Sequence, residues 1–312
     1  MLTLIITSIV LGIFLIVISF ASLYAYKSAF YAKGSKAHVS GYFEKSGSLT
    51  AVEEKIQSLT KALLDEAYED VWIKSYDGLD LHARFYKMKE GAPVQIFMHG
   101  YKGNPFRSMS GLFKIAKSIQ HNVLIVDQRG CGQSSGKAIT FGVKERLDAV
   151  SWTNYITARF GNVPIFLVGI SLGGASVLMA NNGTLPREVV GVIADCPFSS
   201  PIGILKKVCA DHGIPRIFFP FIISGAFLFG HFNPYSGSAA KAVRNASVPI
   251  VILHGEDDGF VPIAMAEEIY ENCRCEKYMY RFKGADHAIC YMVDSDAYEK
   301  ATVNFIEKCL KQ

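Results

Sequence analysis

The stretch FLVGISLGGASVLMA, residues 166–180, contains an apolar run that is interrupted at Ser171 and then continues in small and apolar residues. The first part has the composition of a buried strand, and the second part that of a helix. Gly169 and Gly173 flank the serine in the pattern G-x-S-x-G. This pattern is typical of a sharp strand-to-helix turn, where close backbone contacts require small residues and the serine hydroxyl stays accessible. The stretch therefore predicts an α/β fold with Ser171 as a catalytic nucleophile.

A second G-x-S-x-G pattern occurs at residues 132–136, so the pattern alone is not decisive. Its central residue, Ser134, follows the apolar run NVLIVD only after several residues, in a loop rich in glycine and serine. We interpret Ser134 as a turn residue.

Apolar runs alternate with helical patterns from residue 71 to the end of the chain. The apolar runs are VQIFMHG, NVLIVD, PIFLVG, VVGVIAD and VPIVILHG. Continuously apolar strands that alternate with helices indicate a parallel sheet covered on both faces. Two earlier segments flank Asp77-Gly78, which is a hairpin signal. We therefore predict a mostly parallel sheet with an antiparallel hairpin at one edge.

Residues 198–247 interrupt this alternation and contain the apolar segment IPRIFFPFIISGAFLFGHF. The segment is shorter than a usual membrane span, and Pro220 interrupts it. We predict a small apolar cap over the active site, and the alternative is an ordinary apolar helix packed on the core. As a cap, it would line the pocket with five phenylalanines: Phe218, Phe219, Phe221, Phe227 and Phe229.

A serine nucleophile needs a base and a group that orients the base. In this fold the expected chain order is serine, acid, histidine, each in a loop after a strand. The loop HGEDDGFVP offers Asp257 and Asp258, and the later loop KGADHAI offers His287. Asp195, at the end of VVGVIAD, is an alternative acid, although a packing or turn role suits it better.

The tetrahedral intermediate needs hydrogen-bond donors for its oxyanion, which backbone N–H groups supply. We predict that one donor is Leu172, directly after the nucleophile, and that the other is Tyr101, in the loop after VQIFMHG. We assign His99 and His254 to packing, because their chain order is wrong for the base.

The first 26 residues form a separate segment, because no charged side chain occurs from Leu2 to Tyr26. About 20 apolar residues suffice to cross a bilayer. We expect a retained transmembrane anchor; a cleaved signal peptide would have a basic region before the apolar run. Positive charges after the span favour a cytoplasmic location for the rest of the chain: Lys27, Lys33 and Lys36. Seven scattered cysteines agree with a reducing compartment. Residues 27–70 are predicted to form a polar tether and an amphipathic helix.

From about Val71 to residue 312 the chain resembles the α/β hydrolases, on motifs that occur in the family's order: HGYKGN, DQRGCGQSSG, GISLGG, ADCPF, HGEDDGFVP and GADHA. With its anchor, it is most similar to poorly characterised bacterial members that carry one membrane span. The resemblance implies an α/β-hydrolase domain over residues 71–312 and, through the pattern H-G-x-x-D-x-x-V-P, places the triad acid at Asp258.

The sequence thus predicts a membrane-anchored serine hydrolase that cleaves carboxylic esters or thioesters of a small or lipid-like acyl substrate. An amidase, a peptidase or an acyltransferase would use the same residues, and a non-catalytic ligand-binding scaffold is the alternative from another class. We expect no cofactor. We also expect no metal, because Asp257, Asp258, Asp286 and His287 lack metal-ligand spacing. The net charge of +4 is scattered along the chain, which argues against nucleic-acid binding.

Overall fold

The computed structural model describes residues 1–32 and 49–311. The predicted tether falls largely between these ranges, and so do Lys33 and Lys36, so these predictions lie outside the described residues.

One eight-stranded sheet forms the centre of the domain, in the order β1-β2-β4-β3-β5-β6-β7-β8. Its strands are β1 (Glu69–Lys74), β2 (Asp80–Tyr86), β3 (Val94–Met98), β4 (Asn122–Val126), β5 (Ile165–Ile170), β6 (Val189–Asp195), β7 (Ile250–Gly255) and β8 (Lys277–Phe282). The edge strand β1 pairs antiparallel with β2, which pairs antiparallel with β4. All other pairs are parallel. The prediction of a mostly parallel sheet with an antiparallel edge hairpin is confirmed.

Helices cover both faces of this sheet. The helices in the described part of the chain are α1 (Leu2–Ala29), α2 (Leu49–Leu64), α3 (Pro105–Ser118), α4 (Glu145–Phe160), α5 (Leu172–Ala180), α6 (Pro201–Asp211), α7 (Phe219–Leu228), α8 (Ala239–Ala242), α9 (Ile263–Asn272), α10 (Cys290–Val293) and α11 (Ser295–Cys309), and short 3₁₀ turns lie at Arg216–Phe218, Pro234–Ser236 and Val243–Asn245. Of these helices, α1 and α7 lie outside the layers that cover the sheet and pack on each other. Because strand side chains alternate between faces, Ile96 and Met98 enter one core and Phe97 enters the other. The apolar runs are thus continuous because both faces are buried.

The N-terminal helix α1 is long and apolar enough to cross a membrane, and most of its surface is exposed. Its last turns differ, because partly or fully buried residues recur there at helical spacing: Ile18, Ala21, Ser22, Ala25, Tyr26 and Ala29. The chain then enters the domain core at Phe30, which is completely buried, and Ala32 donates a backbone hydrogen bond to the Lys137 carbonyl. The helix therefore continues three residues past the predicted end of the anchor and joins the domain directly.

The amphipathic helix α2 packs against the domain. Its Leu63 lies in one of the two cores, and its Glu53 accepts two hydrogen bonds from the Arg107 guanidinium, at 2.7 and 2.5 Å. This bidentate pair links α2 to α3.

The insertion between β6 and β7 contains α6, α7 and α8, and α7 packs against the end of α1. A Cβ on Gly225 would lie 2.5 Å from the Ser22 carbonyl oxygen, so glycine permits this close helix contact. The lining of a pocket by the five phenylalanines stays a prediction. Phe229 packs on Tyr26, while Phe218 and Phe227 are about half exposed.

Candidate active site

Ser171 lies on a strained turn between β5 and α5. Its φ is 54° and its ψ is −112°, in a region that non-glycine residues rarely adopt. The two flanking glycines are required sterically. A Cβ on Gly169 would lie 2.2 Å from the Gly173 carbonyl carbon, and a Cβ on Gly173 would lie 1.8 Å from the Met98 carbonyl oxygen. The G-x-S-x-G pattern therefore exists here because two backbone segments pass directly beside the serine.

Ser171, His287 and Asp258 form one hydrogen-bonded chain, although 116 residues separate the serine from the histidine. The distance from His287 Nε2 to Ser171 Oγ is 3.0 Å, and that from His287 Nδ1 to Asp258 Oδ2 is 2.8 Å. In the tautomer that carries a proton on Nδ1, the imidazole donates to the carboxylate, and its Nε2 accepts the serine hydroxyl proton. The structure thus brings the three predicted triad residues together in the arrangement that general-base activation of a serine requires.

Asp258 is a buried carboxylate with several donors. Burial opposes its ionisation, but hydrogen bonds from His254 and His287 outweigh that effect and hold the pKa of Asp258 well below its ordinary value. Its other oxygen accepts from the backbone N–H groups of Phe260 and Val261, at 3.0 and 2.7 Å. Asp258 is therefore charged throughout the neutral range, as an orienting group must be.

The competing acid, Asp257, is exposed and does not contact His287 among the described residues. Its backbone N–H donates to the Ala285 carbonyl at 3.1 Å, and a Cβ on Gly255 would lie 2.1 Å from the same oxygen. Asp286 adds a second connection, because its Oδ1 accepts from the N–H groups of Gly259 and His287. Close backbone contact thus fixes the acid loop against the histidine loop.

Sequence reasoning missed the contribution of His254, which we assigned to packing. His254 Nε2 lies 2.9 Å from the Val261 carbonyl oxygen and 3.3 Å from Asp258 Oδ2. The four-residue separation of His254 and Asp258 in the motif HGEDD was the available signal. Phe260 was also missed, and its ring centroid lies 5.0 Å from that of His287. His254 thus lies beside the predicted acid, and Phe260 lies beside the predicted base.

The two predicted oxyanion donors lie in segments that meet at Ser171. Leu172 is the first residue of α5, so its N–H has no partner within the helix. The loop after β3 reaches the serine from the other side, because a Cβ on Gly100 would lie 3.6 Å from Ser171 Cβ. Within residues 1–32 and 49–311, neither the Leu172 nor the Tyr101 N–H donates to another backbone group outside the regular elements. Their role as oxyanion donors stays a prediction.

Asp195, the alternative acid, is hydrogen-bonded to Tyr298 and not to His287 in the described part of the chain. Its Oδ2 accepts a hydrogen bond from Tyr298 at 2.9 Å, and its own backbone carbonyl accepts from the Ser171 N–H at 2.8 Å. Burial raises the pKa of Asp195 to about 6, although the Tyr298 hydroxyl and the nearby histidines favour the charged form. The residue supports the serine turn through its backbone and does not orient His287.

Cys196 follows Asp195 and lies beside the triad. Its Sγ and ligand atoms of Asp258 and His287 all lie within 4.8 Å of one another. Burial raises the pKa of the Cys196 thiol well above its ordinary value, so the thiolate that binds metals is disfavoured. The carboxylate and the imidazole already bind each other. The donor set therefore does not fit a metal ion well.

Ser134 and His99, which we assigned from the sequence to turn and packing roles, make contacts that hold loops in place. The Ser134 hydroxyl donates to the Asp127 carbonyl at 2.5 Å and accepts from the His82 N–H at 2.8 Å. His99 is buried, with its Nδ1 2.7 Å from the Gly100 carbonyl oxygen. Ser134 thus ties its loop to β2, as expected of a turn residue.

A model of the α/β-hydrolase fold matches residues 93–208. Together with the sheet order and the strained serine turn, this match shows an α/β-hydrolase fold and supports hydrolase activity.

Among particular relatives, the chain is 26% identical over 219 residues to the uncharacterized protein YqkD of Bacillus subtilis, covering 68% of this chain and 70% of that protein. It is 26% identical over 210 residues to the lysophosphatidylserine lipase ABHD12 of Rattus norvegicus. That match covers 64% of this chain but 50% of the lipase, so the chain spans half the lipase's length. A solved esterase of Pyrococcus furiosus superposes with a TM-score of 0.66 at 21% identity, covering 80% of this chain and 93% of the esterase, which shows the shared fold.

Proposed function

We propose that this protein is a membrane-anchored serine hydrolase that cleaves carboxylic ester or thioester bonds. The observation that carries the proposal is the hydrogen-bonded chain from Asp258 through His287 to Ser171. It lies in three loops that follow the carboxyl ends of β5, β7 and β8, where open α/β sheets bind their ligands.

In the proposed mechanism, Ser171 Oγ attacks the substrate carbonyl carbon while its proton moves to His287 Nε2. The tetrahedral intermediate places its oxyanion near the N–H groups of Leu172 and Tyr101. As the intermediate collapses, His287 gives the proton to the leaving alcohol or thiol, and an acyl group remains on Ser171. A water molecule then loses a proton to His287 and attacks the acyl-enzyme, which releases the carboxylic acid and restores the serine. Asp258 holds the imidazole in position and stabilises its charged form.

The substrate class is proposed from two observations. The end of the apolar helix α1 contacts the predicted oxyanion loop, because Tyr101 donates its hydroxyl proton to the Ala29 carbonyl at 2.8 Å. One relative is named as a lysophosphatidylserine lipase. A lipid-like acyl ester fits a catalytic site that is joined directly to a membrane helix.

We also propose that α1 is a retained anchor and that the hydrolase domain lies on the cytoplasmic side. Lys27 follows the uncharged part of the helix, and positive charges next to a span favour the cytoplasmic side. Six cysteines among the described residues are free thiols, which fits a reducing compartment: Cys196, Cys209, Cys273, Cys275, Cys290 and Cys309.

A fluorophosphonate probe tests the proposed nucleophile. We expect the unchanged protein and Ser134→Ala to be labelled, and Ser171→Ala to lose both labelling and ester hydrolysis. Ser134→Ala is a matched control, because it removes a serine hydroxyl from the same G-x-S-x-G pattern. Circular dichroism would verify that both variants are folded.

If folded, unchanged protein were not labelled, the non-catalytic scaffold would replace the hydrolase. If Ser171→Ala were labelled as strongly as the unchanged protein, the nucleophile assignment would be wrong. If labelling is as expected, hydrolysis of matched ester, thioester and amide substrates separates an esterase from an amidase.

A further inference from the structure

An apolar surface on the cap remains uncovered in the structure. The segment Arg216–Leu228 consists of a 3₁₀ turn followed by α7, and no Asp, Glu, Lys or Arg occurs from residue 217 to residue 232. Four of its large apolar side chains are about half exposed or more: Ile217 at 75%, Phe218 at 50%, Phe227 at 46% and Leu228 at 56%. Such a cluster of exposed apolar side chains indicates an interaction surface.

The cap segment is attached to the end of the apolar helix α1. Gly225 lies against the backbone of Ser22 and Tyr26, and the rings of Phe229 and Tyr26 lie 6.1 Å apart. Small residues on both helices allow this approach, which is the usual packing of helices within membranes. The segment is therefore held against the last turns of α1.

The position of this contact along α1 gives its depth in a bilayer. Residues 2–21 are the 20 residues that precede Ser22, and about 20 helical residues cross the hydrocarbon core. The contact at Ser22 and Tyr26 therefore falls at the boundary between the acyl chains and the headgroups. Tyr24, which is 76% exposed, and Lys27 lie at the same level, as tyrosine and lysine commonly do at a membrane surface.

Cationic side chains flank the apolar surface. Lys27 lies at the end of α1, Arg216 begins the cap segment, and Lys206 on α6 lies 5.9 Å from the centre of the Phe219 ring. An apolar helix flanked by positive charges complements acyl chains beneath anionic or zwitterionic headgroups. The ten residues of α7 extend about 15 Å, which is too short to cross the hydrocarbon core.

We infer that Arg216–Leu228 is a second membrane element, which lies beside the end of the anchor at the membrane boundary and inserts Ile217, Phe218, Phe227 and Leu228 among the lipid acyl chains. This inference rests on α1 being the anchor proposed above. The insertion between β6 and β7 thus binds the membrane.

Tryptophan fluorescence in lipid vesicles tests this placement. Full-length Phe218→Trp and Phe227→Trp would be reconstituted into phosphatidylcholine and phosphatidylglycerol vesicles that contain brominated acyl chains, which quench nearby tryptophan. Tyr24→Trp on α1 is the positive control. Leu310→Trp is the negative control, because Leu310 follows α11 next to Cys309, whose Sγ faces the start of β6. The insertion leaves from the other end of this strand. The unchanged protein gives the signal of Trp72 and Trp152, which is subtracted.

The added fluorescence is the emission of the introduced tryptophan after this subtraction. For Phe218→Trp and Phe227→Trp we expect it to be at least twofold lower in brominated than in unbrominated vesicles. The decrease should be larger when the bromines lie near the glycerol end of the acyl chain than when they lie near its methyl end. The added fluorescence of Leu310→Trp should not change. Cap variants that behave like Leu310→Trp while Tyr24→Trp is quenched would overturn the inference, and a second protein copy or a protein partner would then cover the surface. Loss of quenching in Tyr24→Trp as well would remove the anchor and with it this inference. Probe labelling of Ser171 is independent of all these outcomes, so a failure of the hydrolase proposal is seen separately.

Discussion

At the scale of single residues, Asp258 and Asp257 provide a comparison within one loop. Asp258 accepts from His287 and is buried, whereas Asp257 is exposed. We expect Asp258→Asn to lower kcat by about 10⁴, because loss of the orienting carboxylate leaves the imidazole in the wrong tautomer. Asp257→Asn should change kcat little. Steady-state hydrolysis of a p-nitrophenyl ester measures both, and the reverse ranking would transfer the acid role to Asp257.

The glycine after the nucleophile gives a second prediction at this scale. A Cβ at Gly173 would lie 1.8 Å from a backbone oxygen, which cannot move without displacing β3. We expect Gly173→Ala to lower the free energy of unfolding by about 3 kcal/mol or to prevent folding. Gly259→Ala is the control, because its Cβ would have only one neighbour, at 3.9 Å. Denaturant titration measures both variants, and equal stability would contradict the steric account of the motif.

The contact of Ser171, His287 and Asp258 and the turn at the serine were predictable from the sequence, because each residue follows an apolar strand and the expected chain order is fixed. The choice between Asp257 and Asp258 required the family pattern, since composition does not distinguish neighbouring acids. The contact of His254 with Asp258 and the hydrogen bond from Tyr298 to Asp195 were not predicted. Both join loops or elements whose relative position depends on three-dimensional packing.

At the scale of elements, the end of α1 belongs to the hydrolase domain. Phe30 is completely buried, and its ring packs edge-to-face with those of Phe141 and Phe232, at 5.8 and 5.2 Å. We expect Phe30→Ala to lower the free energy of unfolding by about 3–5 kcal/mol. Tyr24→Ala, which truncates an exposed ring two turns earlier, should leave the stability of the domain nearly unchanged.

Thermal unfolding of the two variants in the same detergent measures this difference. Equal melting temperatures would indicate that the segment after the anchor is a tether without structural importance. The alternation of apolar runs with helices predicted the elements of the sheet, but not that α7 packs on α1. Apolar composition is the same for a helix that covers a site and for one that contacts another helix.

At the scale of the whole molecule, Asp195 makes stability depend on pH. Burial raises its pKa to about 6 from an ordinary value of 3.8, so the folded state favours the protonated carboxyl. This stabilisation is complete below about pH 4 and is lost as the pH rises through about 6. The stability lost over this range is about 3 kcal/mol. The asparagine of Asp195→Asn cannot ionise, so this variant should not lose that stability as the pH rises.

We therefore expect the unchanged protein to lose about 3 kcal/mol of unfolding free energy, relative to Asp195→Asn, as the pH rises from about 4 to about 7. Guanidinium titrations across this range measure the difference, in which the other titrating groups largely cancel. A difference that stayed constant with pH would mean that folding does not raise the pKa of Asp195.

The direct passage from α1 into the core at Phe30 has a kinetic consequence for the membrane-anchored hydrolase proposed above. A catalytic domain that is joined to its anchor by a long flexible linker samples many heights above the membrane and many orientations. Such a domain meets its substrate by diffusion in three dimensions. Here the hydrogen bond from Tyr101 to the Ala29 carbonyl fixes the loop beside Ser171 to the last turn of the helix. Encounter with substrate then becomes a two-dimensional search within the leaflet. The rate should follow the mole fraction of substrate in the surface, and dilution with inert lipid should slow turnover even when the bulk concentration of substrate is held constant.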